Sequence, residues 1–127
     1  MSEWEFDDDS VLFKRRFKNY QKKHRNEVMA VLNNLDKYKE AVDAGTDPQK
    51  VQRGFIHPET MGIIAIDQKG HAPNLRETRL YIYPEVETRT IYLITIGDKD
   101  TQARRDIREA KQFVEELLKE SKNGQKI

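Results

Sequence analysis

Residues 76–83 read Arg76-Glu77-Thr78-Arg79-Leu80-Tyr81-Ile82-Tyr83, and residues 88–96 read Thr88-Arg89-Thr90-Ile91-Tyr92-Leu93-Ile94-Thr95-Ile96. β-Branched and aromatic residues fill four of the eight positions in the first run and seven of the nine in the second. In the first, residue type alternates with a period of two, which is the signature of a strand. Thr78, Leu80 and Ile82 point one way; Glu77, Arg79, Tyr81 and Tyr83 point the other. The intervening Pro84-Glu85-Val86-Glu87 reads as a turn, so the two strands are expected to pair as an antiparallel hairpin. This hairpin makes the protein a sheet protein, and the flanking segments decide what covers the sheet.

Upstream, Met61-Gly62-Ile63-Ile64-Ala65-Ile66-Asp67 is an almost continuous apolar run and predicts a buried strand. Gly54-Phe55-Ile56-His57, ended by Pro58, predicts a shorter one. Further back the period changes. Phe13, Phe17, Tyr20, Val28, Val31, Leu35, Tyr38 and Val42 recur at helical spacing, with His24 filling the gap. The phase never slips, which favours one long helix from Ser10 to Gly45, with a bend into a helical hairpin near Arg25-Asn26 or Asn33-Asn34 as the alternative. His24 on that apolar face reads as a packed histidine at the core edge. Downstream, Gly97 ends the sheet and Asp98 or Asp100 is placed to cap a last helix, where Ile107, Ala110, Val114, Leu117 and Leu118 form an apolar stripe. The expected fold class is therefore α+β. It comprises a long N-terminal helix or helical hairpin, a mostly antiparallel sheet of about four strands, and a C-terminal helix. A single domain over 1–127 is expected, with an acidic segment at 1–9 and a polar, frayed tail at 121–127.

Composition narrows the function. The chain has no cysteine, which excludes disulfides and thiolate metal sites and fits a reducing, cytoplasmic setting. No apolar run approaches the roughly 20 residues of a membrane span, and the acidic start does not read as a secretory signal. The net charge of +1 hides a dipolar layout: five acids and no base in the first nine residues, then seven Lys or Arg and no acid between residues 14 and 25. Lys14, Arg15, Arg16, Lys18, Lys22 and Lys23 on this arm are candidates to hold a nucleic-acid backbone or another acidic partner; the plain alternative is a solvated helix face.

His24, His57 and His71 are far apart in sequence, with no metal-binding spacing, and no phosphate-cradling Gly-rich loop or nucleophile elbow is present. Neither a metal nor another cofactor is expected. The candidate chemistry lies instead on the hairpin, where Arg76, Arg79, Tyr81 and Tyr83, with Lys99 beyond the next strand, would suit a metal-independent ribonuclease that uses the RNA's own 2′-hydroxyl. Polar residues on a solvated sheet face are the simpler reading.

At these residues the sequence resembles the RelE/ParE superfamily of toxin components, including its HigB-like branch. The resemblance runs from about Phe13 to Val114. Leu75-Arg76-Glu77-Thr78-Arg79-Leu80-Tyr81 is similar to the family's two arginines separated by two residues before an aromatic strand. Thr90-Ile91-Tyr92-Leu93-Ile94, then Lys99-Asp100-Thr101-Gln102, is similar to the family's next strand and its Lys-Lys-Thr-Gln segment. Asp106-Ile107-x-x-Ala110 resembles the start of the family's final helix.

The resemblance implies a toxin that cuts ribosome-bound mRNA, or a relative that poisons DNA gyrase, neutralised by a cognate antitoxin. It implies catalytic roles for Arg76 and Arg79 at phosphate, for Lys99 as an electrostatic stabiliser, and for Tyr81 at a base. A homodimer and a non-catalytic protein- or RNA-binding module on the same fold are further readings. The chain departs from the pattern at Thr95, where the HigB-like branch often carries histidine, and at Asp100, where the family has a second lysine. His57 or His71 could supply an acid or base.

Overall fold

The computed structural model describes residues 3–125, with side chains described to residue 120. Its element order is β1 (Glu5–Asp7), α1 (Val11–Lys23), α2 (Arg25–Asp43), β2 (Ile56–Pro58), β3 (Ile64–Ile66), β4 (Thr78–Glu85), β5 (Thr90–Asp98) and α3 (Lys99–Gln125), with a 3-10 turn at Thr60–Gly62. The fold is α+β: one five-stranded, mostly antiparallel sheet in the order β1-β5-β4-β3-β2, with helices on both faces.

The N-terminal helical stretch divides at a single residue. Ser10 caps α1 by accepting a hydrogen bond from the Phe13 amide. At His24 the backbone leaves helical geometry (φ −134°, ψ 50°), and α2 starts at the next residue. The favoured single helix is thus corrected to two. The apolar phase survives the break because Tyr20 and Val28, on either side of it, are both buried in the same core. Gly45, at φ +102°, ends α2. Its amide and that of Thr46 bond back to the Val42 and Ala41 carbonyls, a closure that needs the left-handed backbone glycine tolerates.

The sheet gains a strand the sequence reading lacked. Glu5–Asp7 pairs in parallel with Thr90–Tyr92, anchored by buried Trp4, whose amide donates to Asp43. Three residues with two acids carry no strand pattern; Trp4, an apolar anchor beside them, supplies the burial. The acidic segment is therefore the sheet's edge. Its one described ion pair with the basic arm is Lys14–Asp9 at 4.0 Å, between two exposed side chains.

The central hairpin pairs as expected, but its strands are longer. Pro84 and Glu85 lie in β4, the turn is Val86–Arg89, and β5 runs through Gly97 to Asp98. The register shifts between Tyr81 and Ile82, where Tyr81 faces Thr95 and Ile82 faces Leu93. Ile94 is the extra residue of this bulge.

Two cores result. On one face Ile64, Ile66, Leu80, Ile82, Ile91, Leu93 and Ile96 meet the apolar sides of α1 and α2. On the other, Ile63, Ala65, Tyr81 and Ile94 meet Ala110 and Val114 of α3. Fully burying one such aliphatic side chain is worth about 1.5–3 kcal/mol, so both helical layers are firmly seated. Leu118, assigned to the apolar stripe, is 47% exposed. The expected frayed tail is helical through Gln125 in α3, and residues 126 and 127 lie outside the described residues.

Candidate nucleic-acid interface

The strand alternation orients Arg79, Tyr81 and Tyr83 as expected, but their face is not solvated, because α3 lies across it. Tyr81 is 1% exposed and its hydroxyl has no hydrogen-bond partner among the described residues. Burial pushes that hydroxyl up to about 12. Arg79 is largely covered, 3.6 Å from Glu59. A buried polar patch thus lies beside the apolar contact between sheet and helix. In it Asp106 is 1% exposed; burial raises its carboxyl above the ordinary aspartate value, against the pull of Arg105. Gly97 lets the helix approach this closely, since a Cβ there would lie 2.2 Å from Asp106 Oδ2.

Arg76 and Lys99 are placed differently. Arg76 precedes β4, and its half-exposed guanidinium bonds the Asp98 carboxylate. Its amide donates to Glu27 at 2.9 Å. Asp98 also caps α3, accepting from the Asp100 and Thr101 amides. Burial alone would raise the Asp98 carboxyl, but these donors outweigh it and hold the group below its ordinary value. Lys99, the first residue of α3, sits 3.2 Å from Glu77. The four proposed catalytic residues are therefore not gathered at one point: Tyr81 is buried beneath α3, Arg79 is held beside Glu59, Arg76 reaches Asp98 and Lys99 reaches Glu77.

The basic arm divides likewise. Lys14, Arg15, Lys18, Lys22 and Lys23 are exposed, whereas Arg16 is largely buried and bonds Glu109 of α3 at 2.6 Å. Lys22 and Lys23 occupy the last turn of α1, where positive charge complements the helix dipole.

Arg16 and Lys23 meet Arg76 in one cleft. About 460 Å³ in volume, it opens between α1, the start of α3 and the end of β5. Its walls include Arg16, Lys23, His24, Arg76, Asp98 and Arg105. Tyr20 lies under it, its hydroxyl hydrogen-bonded to Thr78 Oγ1 at 2.7 Å, and the His24 ring packs on Tyr20 at 4.5 Å between centroids. Each arginine is oriented by a carboxylate: Arg16 by Glu109, Arg76 by Asp98, Arg105 by Asp106. A guanidinium has five donors, so such pairing leaves others for a ligand. Three oriented arginines and Lys23 around an open groove suit phosphate oxygens.

Sequence reasoning missed Arg105 and His24. Arg105 had a signal, the Arg104-Arg105 pair in the first turns of the last helix. His24 had none: a histidine in phase with an apolar stripe looks the same whether its ring edge is covered or open.

A second polar cluster closes the C-terminal end of β3. Asp67, fully buried, meets His57 Nε2 at 2.5 Å and Lys69 Nζ at 3.5 Å. Asn34 bonds the Asp67 and Lys69 carbonyls and His71. Neither His57 nor His71 lines the cleft. Among the described residues no group of three or more His, Asp or Glu side chains could hold a metal ion, and no helix is long and apolar enough to cross a membrane.

No family model and no curated protein match this chain. Among solved structures it is similar to that of the E. coli toxin RelE, a mutant with two arginines changed to alanine, in the free state. The identity is 19%, the TM-score 0.49, and the alignment covers 90% of this chain and 99% of that one.

Proposed function

We propose that residues 1–127 act as one RelE/HigB-like toxin of a toxin–antitoxin system, a metal-independent endoribonuclease that cleaves mRNA on the ribosome in the cytoplasm. The observation that carries this reading is the cleft, in which Arg76 of the family-like segment lies with Arg16, Lys23 and Arg105 in a groove open to a phosphate backbone. The sequence resemblance supplies the reaction class. In this reading Arg76 and Arg79 hold phosphate and the developing charge, Lys99 adds electrostatic stabilisation, and Tyr81 contacts a base. Lys14, Arg15, Lys18, Lys22 and Lys23, with Arg16, guide the backbone along α1. A cognate antitoxin would silence the activity, and a homodimer is compatible with it.

One observation favours a second reading, a non-catalytic binding module. Tyr81 and Arg79 are covered by α3, and each cation of the cleft except Lys23 is partly neutralised by a carboxylate.

Controlled expression in bacteria, with growth and mRNA integrity followed together, tests both. Arrest with mRNA cleavage, lost in a folded Arg76→Ala variant, is the expected result. Arrest with intact mRNA would replace the ribonuclease by a ParE-type gyrase inhibitor. Unimpaired growth at confirmed soluble expression would leave the binding module.

A further inference from the structure

We infer that His24 is the catalytic base of the cleft, the group that takes the proton from the attacking 2′-hydroxyl of RNA. The inference rests on the ribonuclease reading above. Metal-independent cleavage of RNA by its own 2′-hydroxyl gains from a group that exchanges a proton near neutral pH, and histidine is the side chain suited to it. The residues the resemblance supplies include no such group. Arg76 and Arg79 carry guanidinium groups, which stay protonated in proteins, Lys99 is engaged by Glu77 at 3.2 Å, and Tyr81 is buried beneath α3 with its hydroxyl pushed up to about 12. At Thr95, where the resemblance leads one to look for a histidine, there is none.

Of the three histidines, two are engaged elsewhere. His57 is bonded to Asp67 and His71 to Asn34, and neither lines the cleft. His24 does line it. It stands where α1 gives way to α2, its backbone fixed by hydrogen bonds from its amide to Tyr20 and from the Val28 amide to its carbonyl. Tilted packing against Tyr20, at 39° between the ring planes, holds the ring, while neither ring nitrogen has a hydrogen-bond partner among the described residues. The side chain is partly exposed, so solvent and a ligand can reach it. The charged and titratable groups around it are Arg16, Tyr20 and Lys23 from α1, Glu27 from α2, Arg76 before β4, Asp98 at the end of β5 and Arg105 from α3.

The step balances as follows. A neutral His24 nitrogen takes the 2′-hydroxyl proton as the 2′-oxygen bonds to phosphorus. The bond from phosphorus to the 5′-oxygen breaks, and that oxygen takes a proton from solvent water. The resulting hydroxide collects the proton from the imidazolium and restores His24. The products are a 2′,3′-cyclic phosphate and a 5′-hydroxyl. Arg76 and Arg105 face the extra negative charge on the phosphorane.

The test uses the full chain with ribosomes programmed with mRNA, across a pH series, comparing wild type with His24→Gln and His24→Ala. The expected result is cleavage by wild type to a cyclic phosphate. His24→Gln should lower kcat by roughly 100-fold or more at little change in KM, and the acid-side limb of the pH profile should disappear. Exogenous imidazole should restore part of the His24→Ala rate, which a merely structural histidine would not permit. Cleavage by His24→Gln with an unchanged pH profile would overturn the inference and leave the ribonuclease reading intact. No cleavage by wild type would overturn both. If the variants do not fold, wild type is treated with diethyl pyrocarbonate and mapped by mass spectrometry. Activity must then fall in step with His24 modification, and activity retained with His24 fully modified overturns the inference.

Discussion

Arg16 on α1 and Glu109 on α3 meet at 2.6 Å, although their helices cover opposite faces of the sheet. Both side chains are largely buried, at 21% and 17% exposure. The contact passes the edge of β5 beyond Tyr92, where β1 no longer pairs with it. It ties the two layers together and forms one wall of the cleft. Removing either partner leaves a charge in a mostly desolvated place. Arg16→Met or Glu109→Gln should each cost about 1–3 kcal/mol, read from urea unfolding. The double variant should cost less than the sum of the two, and strict additivity would show that the pair is not coupled.

Tyr81 yields a sharper separation of roles. Its hydroxyl is buried without a partner among the described residues, so Tyr81→Phe removes a desolvated polar atom and leaves the ring packing in place. The variant should be as stable as wild type or more stable by about 1 kcal/mol in thermal unfolding. If the hydroxyl has a catalytic role, growth arrest is lost despite that stability. Arrest unchanged in Tyr81→Phe would remove the hydroxyl from the mechanism.

Asp106 should make stability fall as pH rises. Burial holds its folded carboxyl above the ordinary aspartate value. The folded state therefore binds the proton more tightly than the unfolded chain. Its contribution is fully present below the unfolded value, about 3.9, and is lost as pH rises through the raised folded value. Asp106→Asn keeps the shape against Gly97 and removes the penalty. At pH 7 it should add about 0.5–2 kcal/mol and flatten the unfolding free energy across that interval. A variant less stable than wild type at pH 7 would mean that the Arg105 contact outweighs the burial.

Gly97→Ala tests how closely α3 must lie on the sheet. The added methyl would sit 2.2 Å from Asp106 Oδ2 and 2.6 Å from Gln102 Oε1. The Gln102 oxygen also accepts the Asp98 amide at 2.9 Å, so relief of the clash loosens the capped start of the helix. A loss of about 1–3 kcal/mol is expected, with faster hydrogen exchange in the first turns of α3 than in α2. Uniform loss of protection throughout the chain would point to the whole core instead.

Local pattern carried much of this protein. Alternation in Thr78–Glu85 made a strand whatever lay above it, because successive side chains must point to opposite faces. Helical spacing from Phe13 to Val42 survived the break at His24, because both helices bury one continuous face. The signals at Ser10, Gly45 and Asp98 acted where they stood, because capping is satisfied within a few residues of chain. Other features depend on partners distant in sequence. Whether Tyr81 and Arg79 meet solvent or a helix was settled by α3 folding back over β4 and β5, and alternation alone cannot distinguish a solvated face from a second buried one. The strand at Glu5–Asp7 exists because an unpaired stretch of β5 and a pocket for Trp4 await it. The cleft joins residues from 16 to 105. Sequence alone named Arg16, Lys23 and Arg76 as candidate cations; only the tertiary structure brought them into one groove with His24 and Arg105, because charge and burial are set by neighbours in space.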